Sequence, residues 1–398
     1  MKDKSQACEE KILGIDLHPD SFSLAVTVPK ADGTLNIQQQ ITKAPTSEWR
    51  EHLLKISKPA LVVCEASGNS FEFMKTAEEL GFRTCILNSV DVGQLGKKLC
   101  KTDKQDAVRI VKIYQANLAS EVWLPDEETR KLRAVSSMFD QASQDCRRIN
   151  NRIKSFLTQY DVRLGKGEKD LSSPIVRVII AQKRKWSQDD LFVLNNYYEM
   201  FDHAVKVKQN LYQFMLRKVH GCRLMRELMK LCGIRVIAAF HIVAAVGDVK
   251  RFSNPKKLVA YLGVAPCIHQ SGCREYSVGM QNNGCRGIRS LLVECANAIL
   301  KSKNASAKHL RDWAVKLKMR KGTNIALCAL ARKLAVAIWY ALNGWLPDII
   351  DNETTLKRKI GSLFDEFKLE FIRTLGYNSR KEFVDSFSSA ILTQKKGG

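Results

Sequence analysis

The first 90 residues alternate short apolar stretches with turn-forming residues, a pattern that predicts strands. Segments 11–17, 21–29 and 34–41 are separated by turn signals typical of hairpins, so we predict three antiparallel strands. Segment 60–65, ALVVCE, is apolar almost throughout, as in strands that are buried on both faces. A further strand is predicted at 82–87, and helices are predicted at 47–56 and 70–80. This order is typical of the ribonuclease-H-like α/β architecture, although other α/β folds share it.

From Pro125 onward the apolar residues recur at alternating spacings of three and four, which predicts long helices. One apolar seam runs from Leu132 to Tyr160 and a second from Leu194 to Val219, with a polar, glycine-containing segment between them at 165–173. The two helices form either an antiparallel hairpin or a dimerising stalk, and the periodicity does not decide between these alternatives.

The rest of the chain has a helical pattern apart from one glycine-rich stretch. A third region runs from about 224 to 346 and is helical except for its centre, 263–287. The last fifty residues have the composition of a helical appendage. We therefore predict an α/β domain followed by all-α regions. The four predicted parts are 1–125, 126–222, 223–346 and 347–398.

The composition indicates which class of molecule the protein binds. With 64 Lys and Arg against 41 Asp and Glu, the 398-residue chain has a net charge of +23, and 45% of its residues are hydrophobic. The hydrophobic fraction excludes disorder as the dominant state, and the charge favours nucleic acid as a partner before an anionic membrane. The best apolar run, Leu334 to Leu342, is too short to span a bilayer and predicts a buried helix. Because no apolar segment follows the first lysines, we expect a cytoplasmic protein whose cysteines are thiols.

Four acidic residues stand where a carboxylate is costly unless something pairs with it. Asp16 lies in the first predicted strand and Glu65 ends the buried strand. Asp103 and Asp106 are three residues apart, which places them on one side of a predicted helical turn. Together the four predict a site for hard divalent cations, as in two-metal phosphoryl-transfer sites. Taken singly, each has a plainer explanation, since an acid at the end of a strand or helix is often a cap or turn former.

The glycine-rich stretch contains a serine among arginines. Ser271 precedes Gly272 and is close to Arg274, and Arg286 and Arg289 follow. A serine hydroxyl in such surroundings can attack a phosphodiester and remain bonded to it, although a serine beside glycine is more often only part of a turn. Four soft ligands in the same stretch lack the paired spacing of structural zinc sites: Cys267, His269, Cys273 and Cys285.

Basic residues near both candidate sites are expected to contact nucleic-acid phosphates. They are Lys97, Lys98, Lys101, Lys250, Arg251, Lys256, Lys257, Arg274, Arg286 and Arg289. The sequence shows no obvious motif for reading bases in the major groove, so we expect these residues to bind the backbone.

Each candidate catalytic residue lies in a longer motif. The motifs are GIDLHPDSFSLAV around Asp16, VVCEASGNSFEF around Glu65, KTDKQDA around Asp103 and Asp106, and GVAP followed by HQSGCREYSVG around Ser271. Together they resemble the insertion sequence 110 transposases, the bridge-RNA-guided serine recombinases, and the resemblance spans about residues 11–300. One departure is Gly233-Ile234-Arg235, where that family usually has Gly-x-Gly.

The resemblance implies a RuvC-like N-terminal domain, a helical coiled-coil stalk and a mainly helical transposase domain. It implies that Asp16, Glu65, Asp103 and Asp106 bind Mg²⁺, and that Ser271 is the nucleophile that forms a phosphoserine link to DNA in a composite site. It further implies a structured noncoding bridge RNA that pairs with donor and target DNA. The expected protein is a bacterial, nucleoid-associated DNA transposase that forms a homo-oligomer, from dimer to tetramer, whose protomers share the site.

Two other functions remain open from the residues alone. One is a non-catalytic RNA- or DNA-binding protein on the same fold, which predicts no strand scission. The other is a metal-dependent nuclease without a covalent intermediate, which predicts free DNA ends and no dependence on Ser271.

Overall fold

The computed structural model describes residues 11–30, 32–95, 103–271, 274–280, 284–345 and 349–393. Of these, residues 103–104, 268–271, 274–279 and 286 are described by their backbone alone. The chain divides into two compact units, Met1–Pro125 and Asp126–Gly398.

The first unit is built on a mixed sheet. Its described strands are β1 (Lys11–Leu17), β2 (Ser21–Pro29), β3 (Leu35–Pro45), β4 (Ala60–Glu65), β5 (Arg83–Leu87) and β6 (Glu121–Val122). Its described helices are α1 (Trp49–Leu54), α2 (Ser70–Glu79), α3 (Ser89–Leu95) and α4 (Asp103–Gln115). The strand order is β3-β2-β1-β4-β5-β6. The first three strands pair antiparallel and β4 and β5 run parallel to β1, so the five predicted strands are confirmed, whereas β6 was not predicted.

Helices cover both faces of this sheet. One face, which includes Leu13 and Ile15, packs against α1 and α2. The other face, which includes Ile12 and Val63, packs against α3 and α4. Successive side chains of a strand point to opposite faces, so this double coverage explains why β4 is apolar at nearly every position.

The second unit begins with two long helices, α5 (Glu127–Gln159) and α7 (Gln188–Gly221). Ile153, near the end of α5, belongs to the same apolar cluster as Leu194, near the start of α7. At the opposite ends, Lys218 Nζ of α7 lies 2.7 Å from Glu128 Oε1 of α5. The two helices therefore form an antiparallel hairpin, which is the first of the two alternatives that the periodicity left open. A short helix that was not predicted, α6 (Pro174–Gln182), lies in the connection between them.

The remaining elements enclose one continuous apolar core. They are α8 (Arg223–Met229), α9 (Val236–Val246), α10 (Pro255–Tyr261), β7 (Pro266–Ser271), β8 (Arg274–Met280), α11 (Arg286–Lys301), α12 (Lys308–Lys321), α13 (Thr323–Leu342), α14 (Glu353–Arg373) and α15 (Arg380–Leu392). Leu356 of α14 and Phe383 of α15 are buried in the same core as Phe240 of α9. The described part of the last fifty residues is thus mainly helical, as predicted, and its apolar side chains share the core of the helices before it.

One helix in the described part of the chain, α13, is long and apolar enough to cross a membrane by length and composition. Half of its most apolar stretch is buried within the protein, and Leu330, Leu334 and Ile338 are fully buried in the core. The prediction of a buried helix at Leu334 to Leu342 is therefore confirmed.

Candidate active site

Two of the four candidate carboxylates lie side by side. The parallel register of β1 and β4 pairs Ile15 with Cys64, and Asp16 and Glu65 each follow directly at the carboxyl ends of these strands. Side chains at equivalent positions of adjacent parallel strands point to the same face. Both residues are half-buried. The sheet therefore brings together two acids that are 49 positions apart in the sequence.

Helix α4 packs on this same face of the sheet. Gly14, two residues before Asp16, faces α4 so closely that a Cβ there would be 2.0 Å from the carbonyl oxygen of Ala107 and 2.6 Å from Val111 Cγ2. Asp103 and Asp106 lie in the first turn of α4, which precedes this contact, and the side chain of Asp103 is outside the described atoms.

Cationic or hydrogen-bonding neighbours already contact two of the acids. His18 Nε2 lies 3.3 Å from Asp16 Oδ2. The Arg109 Nη1 atom donates a hydrogen bond of 3.0 Å to Asp106 Oδ1, while Nη2 donates one of 3.2 Å to the carbonyl oxygen of Val92. Neighbouring carboxylates repel one another unless a positive charge lies near them. The Arg109 guanidinium supplies such a charge beside Asp106.

The donor chemistry at this end of the sheet fits a hard divalent cation, because carboxylate oxygens are the ligands that such cations prefer. The adjacent thiol is not a competing ligand: burial, with smaller contributions from Cys85 and Glu65, raises the pKa of Cys64, so its sulfur stays protonated. Among the side chains that the structure describes, no three His, Cys, Asp or Glu lie close enough together to hold a metal ion. The carboxylate of Asp103 is outside that set.

His18, Asn69 and Arg109 are the neighbours of the candidate acids that sequence reasoning missed. The Asn69 side-chain amide donates a hydrogen bond of 2.8 Å to the carbonyl oxygen of His18, which ties the loop after β4 to the turn after β1. His18 and Asn69 both lie within the motifs around Asp16 and Glu65. Their place within these two motifs is the sequence signal that could have identified them.

The candidate nucleophile lies at the end of a β-hairpin. Ser271 is the last residue of β7, Arg274 is the first residue of β8, and the antiparallel register pairs the two directly. Gly272 and Cys273, which connect them, lie outside the described residues. The sequence predicted a turn here but not the two strands that form it. The zinc alternative also involves Cys273 and so falls partly outside the described residues.

Two glycines hold the chain together at the base of this hairpin. Gly284 has a φ of +103°, and a Cβ there would be 2.8 Å from the Cα of Gly263. Next to it, the backbone N–H of Cys285 donates a hydrogen bond of 3.1 Å to the carbonyl oxygen of Tyr261. Only glycine meets both requirements, a positive φ and close backbone approach. The glycines at 263 and 284 therefore allow the two ends of the hairpin to approach each other closely.

The cations expected to contact nucleic acid differ in their surroundings. Lys250 is exposed before α10, and Lys256 and Lys257 are exposed in its first turn. Arg251 is half-buried, with its guanidinium 4.3 Å and 4.4 Å from the rings of Phe252 and Tyr261 and its Nε donating to the carbonyl oxygen of Val246. Arg289 is half-buried on α11. The side chains of the remaining five lie outside the described atoms: Lys97, Lys98, Lys101, Arg274 and Arg286.

Two family models match the chain, one on each unit's candidate residues. A model described as a transposase and named for the DEDD domain of IS110 matches residues 13–161, which include the four acids. A second, described as Transposase IS116/IS110/IS902 family, matches residues 225–311, which include Ser271.

Relatives of this chain cover most of its length. The transposase for insertion sequence element IS1111A of Coxiella burnetii is 24% identical over 335 residues, which are 83% of this chain and 89% of the relative. The transposase for insertion sequence element IS1328 of Yersinia enterocolitica is 19% identical over 332 residues, which are 82% and 95% of the two chains. The family models and these relatives agree, and the chain belongs to the IS110 family of insertion-sequence transposases, which carry out DNA transposition.

Proposed function

We propose that this transposase cuts and rejoins DNA through a phosphoserine intermediate on Ser271, assisted by Mg²⁺ at the four acids. The observation that carries the proposal is the adjacency of Asp16 and Glu65 at the ends of parallel strands, with helix α4 packed on the same face. Family membership supplies the reaction class, which is the cutting and rejoining of DNA.

The proposed fold of the first unit is RuvC-like, within the ribonuclease-H-like architecture. Three antiparallel strands followed by two strands parallel to the first, in the order β3-β2-β1-β4-β5, support this assignment. The acids at the end of the central strands β1 and β4 support it further. In open α/β sheets, functional groups collect where the carboxyl ends of the strands meet.

Asp16, Glu65, Asp103 and Asp106 would hold Mg²⁺ through their carboxylate oxygens. When bound, the ion supplies Lewis-acid stabilisation of negative charge on a phosphate oxygen. Arg109 would remain near the site, because its second nitrogen is anchored on the carbonyl oxygen of Val92.

The serine step conserves the phosphodiester bond energy. The Ser271 oxygen forms a bond to phosphorus as the bond to a deoxyribose oxygen breaks, and the hydroxyl proton ends on the departing DNA strand. In the reverse direction a DNA hydroxyl attacks phosphorus, takes the place of the serine oxygen and returns the proton to it. Arg274, which is paired with Ser271 across the hairpin, would offset charge that develops on the phosphorane.

Site selection is proposed to rest on a structured noncoding bridge RNA that pairs with donor and target DNA. A net charge of +23 suits a protein that holds nucleic-acid backbones while base pairing reads the sequence. We also propose a homo-oligomer in the bacterial cytoplasm, associated with the nucleoid. The bacterial origin of its relatives supports that compartment.

Denaturing gels with labelled DNA test the covalent step. The protein is incubated with DNA from the ends of its element, Mg²⁺ and RNA transcribed from the flanking sequence, and each sample is run with and without protease. Ser277→Ala, which changes another serine of the same hairpin on β8, serves as the matched control for Ser271→Ala. We expect a protease-sensitive, slowly migrating band with the wild type and with Ser277→Ala. Ser271→Ala should give no such band and should still bind DNA.

The other outcomes separate the alternative functions. Covalent adducts with Ser271→Ala would contradict the assignment of the nucleophile. Free DNA ends in equal amounts from both serine variants would indicate a hydrolytic nuclease. No scission by the wild type with any RNA or divalent metal would indicate a non-catalytic binding protein.

A further inference from the structure

Helix α5 contacts both of the core helices between which the candidate serine hairpin is inserted. The hairpin of β7 and β8 follows α9 and α10 in the chain and precedes α11. Two charged residues of α5, Arg133 and Asp140, are seven positions apart, which places them on one face of the helix about 10.5 Å apart along its axis. Neither residue belongs to the candidate site residues described above.

Arg133 lies at the carboxyl end of α9. Its Nε donates a hydrogen bond of 3.0 Å to the carbonyl oxygen of Ala244, and its Nη2 donates one of 2.9 Å to the carbonyl oxygen of Ala245. The last carbonyl groups of a helix have no partner within the helix, and this end carries partial negative charge. α9 has no basic residue in its own last turn, so α5 contributes a cation that this end favours.

Tyr261 connects this contact to the base of the hairpin. Its hydroxyl donates a hydrogen bond of 2.9 Å to the carbonyl oxygen of Ala245 and accepts one of 3.3 Å from Arg133 Nη2. Its own carbonyl oxygen accepts the hydrogen bond from the backbone N–H of Cys285, the residue that precedes α11. Arg133, Tyr261 and Cys285 therefore link α5 to both ends of the segment that contains the hairpin.

Asp140 lies beside the amino end of α11. A Cβ on Gly287, the second residue of α11, would be 3.7 Å from Asp140 Oδ2. The other carboxylate oxygen, Oδ1, lies 3.2 Å from Nε2 of the buried His241 on α9. The amino end of a helix favours a negative charge, and α11 has no acidic residue in its own first turn. Asp140 thus supplies that charge from α5 and contacts α9 as well.

We propose that Arg133 and Asp140 are positioning residues, which hold the serine hairpin in the orientation that the reaction needs. The proposal rests on the proposed function, because it requires Ser271 as the nucleophile. Each residue carries the charge that suits the helix end it contacts, and these two helix ends enclose the segment 247–285 that contains the hairpin. A reacting group displaced by about 1 Å can react about 100-fold more slowly. The two residues therefore act on the rate of adduct formation and not on DNA affinity.

Hydrogen–deuterium exchange tests the structural part of this proposal without catalysis. Arg133→Gln is compared with Arg148→Gln, which removes an arginine whose hydrogen bonds are to Asp145 and Gln144 of the same helix. Asp140→Asn is compared with Asp145→Asn, because the two carboxylates are similarly exposed, 50% and 53%. Circular dichroism melts check that all four variants are folded. Asp140→Asn is the smaller change and keeps the proposal testable if Arg133→Gln does not fold.

The expected changes in exchange are confined to the hairpin and its base. Peptides from β7, β8 and the first turn of α11 should exchange about 10- to 150-fold faster in Arg133→Gln, the factor by which a hydrogen bond with a charged partner shifts a local opening equilibrium. In Asp140→Asn they should exchange about 2- to 30-fold faster, as for the loss of a charge at a helix end. Both controls should match the wild type. Peptides from α13, in the core, should be unchanged in all four variants.

Single-turnover formation of the protein–DNA adduct at saturating DNA tests the role in the reaction. Arg133→Gln and Asp140→Asn should form the adduct at least about 10-fold more slowly than their controls, with the same apparent Kd for DNA. A residue needed only for overall stability would instead lower the melting temperature and raise exchange in α13 as well. It would leave the rate for folded protein unchanged.

The other outcomes overturn the proposal at different points. Equal exchange in β7 and β8 for each variant and its control would show that α5 does not hold the hairpin. Faster exchange with an unchanged rate of adduct formation would show that the contacts do not serve the reaction. If the wild type formed no adduct, the proposed function would fail and the role in the reaction with it. The exchange comparison would still decide separately whether α5 holds the hairpin.

Discussion

The contact between Gly14 and α4 makes a quantitative prediction about how the acids are positioned. Gly14→Ala would place a methyl group 2.0 Å from the carbonyl oxygen of Ala107 and 2.6 Å from Val111 Cγ2. The first of these contacts is with backbone, which cannot rotate away, so α4 must shift off the sheet. Overpacking of this kind costs about 1–3 kcal/mol. Because the same helix carries Asp103 and Asp106, we expect strand cleavage to fall as well.

Hydrogen–deuterium exchange locates this effect. Gly93→Ala is the matched control, because a Cβ at Gly93 in α3 meets nothing within 4 Å and alanine favours a helix by about 0.5–1 kcal/mol. A cost of about 1–3 kcal/mol corresponds to exchange faster by about 5- to 150-fold in peptides from β1 and α4. Gly93→Ala should leave those peptides unchanged or slower. Equal exchange and equal cleavage in the two variants would refute the close approach of α4 and its role in placing the acids.

Three further predictions address the acids and the second unit. Asp106→Asn should reduce Mg²⁺-dependent cleavage by at least 100-fold while DNA affinity changes only slightly, and unaltered activity would reject the metal assignment. Asp351→Ala should destabilise the second unit by about 3–5 kcal/mol in urea unfolding, because it leaves the buried Lys359 ammonium without its ion-pair partner. In the wild type Lys359 Nζ lies 2.6 Å from Asp351 Oδ2. The control is Asp365→Ala, which removes an exposed ion pair and should cost less than about 1 kcal/mol. Burial lowers the pKa of His220 below its ordinary 6.5, so the unfolded chain takes up that proton more readily and stability should fall as pH drops below 6.5. His220→Gln should make the melting temperature less dependent on pH in that range, and an unchanged dependence would contradict this cause.

The strands of the first unit could be predicted from the sequence because the patterns that mark them are local. Each strand is marked by its own apolar pattern, and the buried strand β4 shows that both faces of the sheet are covered. The acids at the ends of β1 and β4 could also be predicted as candidate site residues, since an acid at the end of an apolar strand stands out in the sequence. That the two acids lie side by side could not be predicted, because this depends on the register between strands that are far apart in the sequence.

The second unit shows what local patterns leave out. The hairpin of β7 and β8 depends on the contact between Gly263 and Gly284, which are 21 positions apart, so its sequence resembled a loop. Arg235 stands where the family usually has glycine, and it donates hydrogen bonds of 2.6 Å to Glu366 and 2.8 Å to Ser362 of α14. Such long-range contacts leave no periodic signal in the sequence.

Mass spectrometry of the trapped adduct tests the central claim most directly. Trypsin cleavage after Lys257 and Arg274 should release a peptide, LVAYLGVAPCIHQSGCR, that contains a single serine, Ser271. After nuclease digestion of wild-type adducts, we expect this peptide to carry a nucleotide phosphoryl group on Ser271. A nucleotide on Tyr261 or on any other residue would contradict the proposed mechanism.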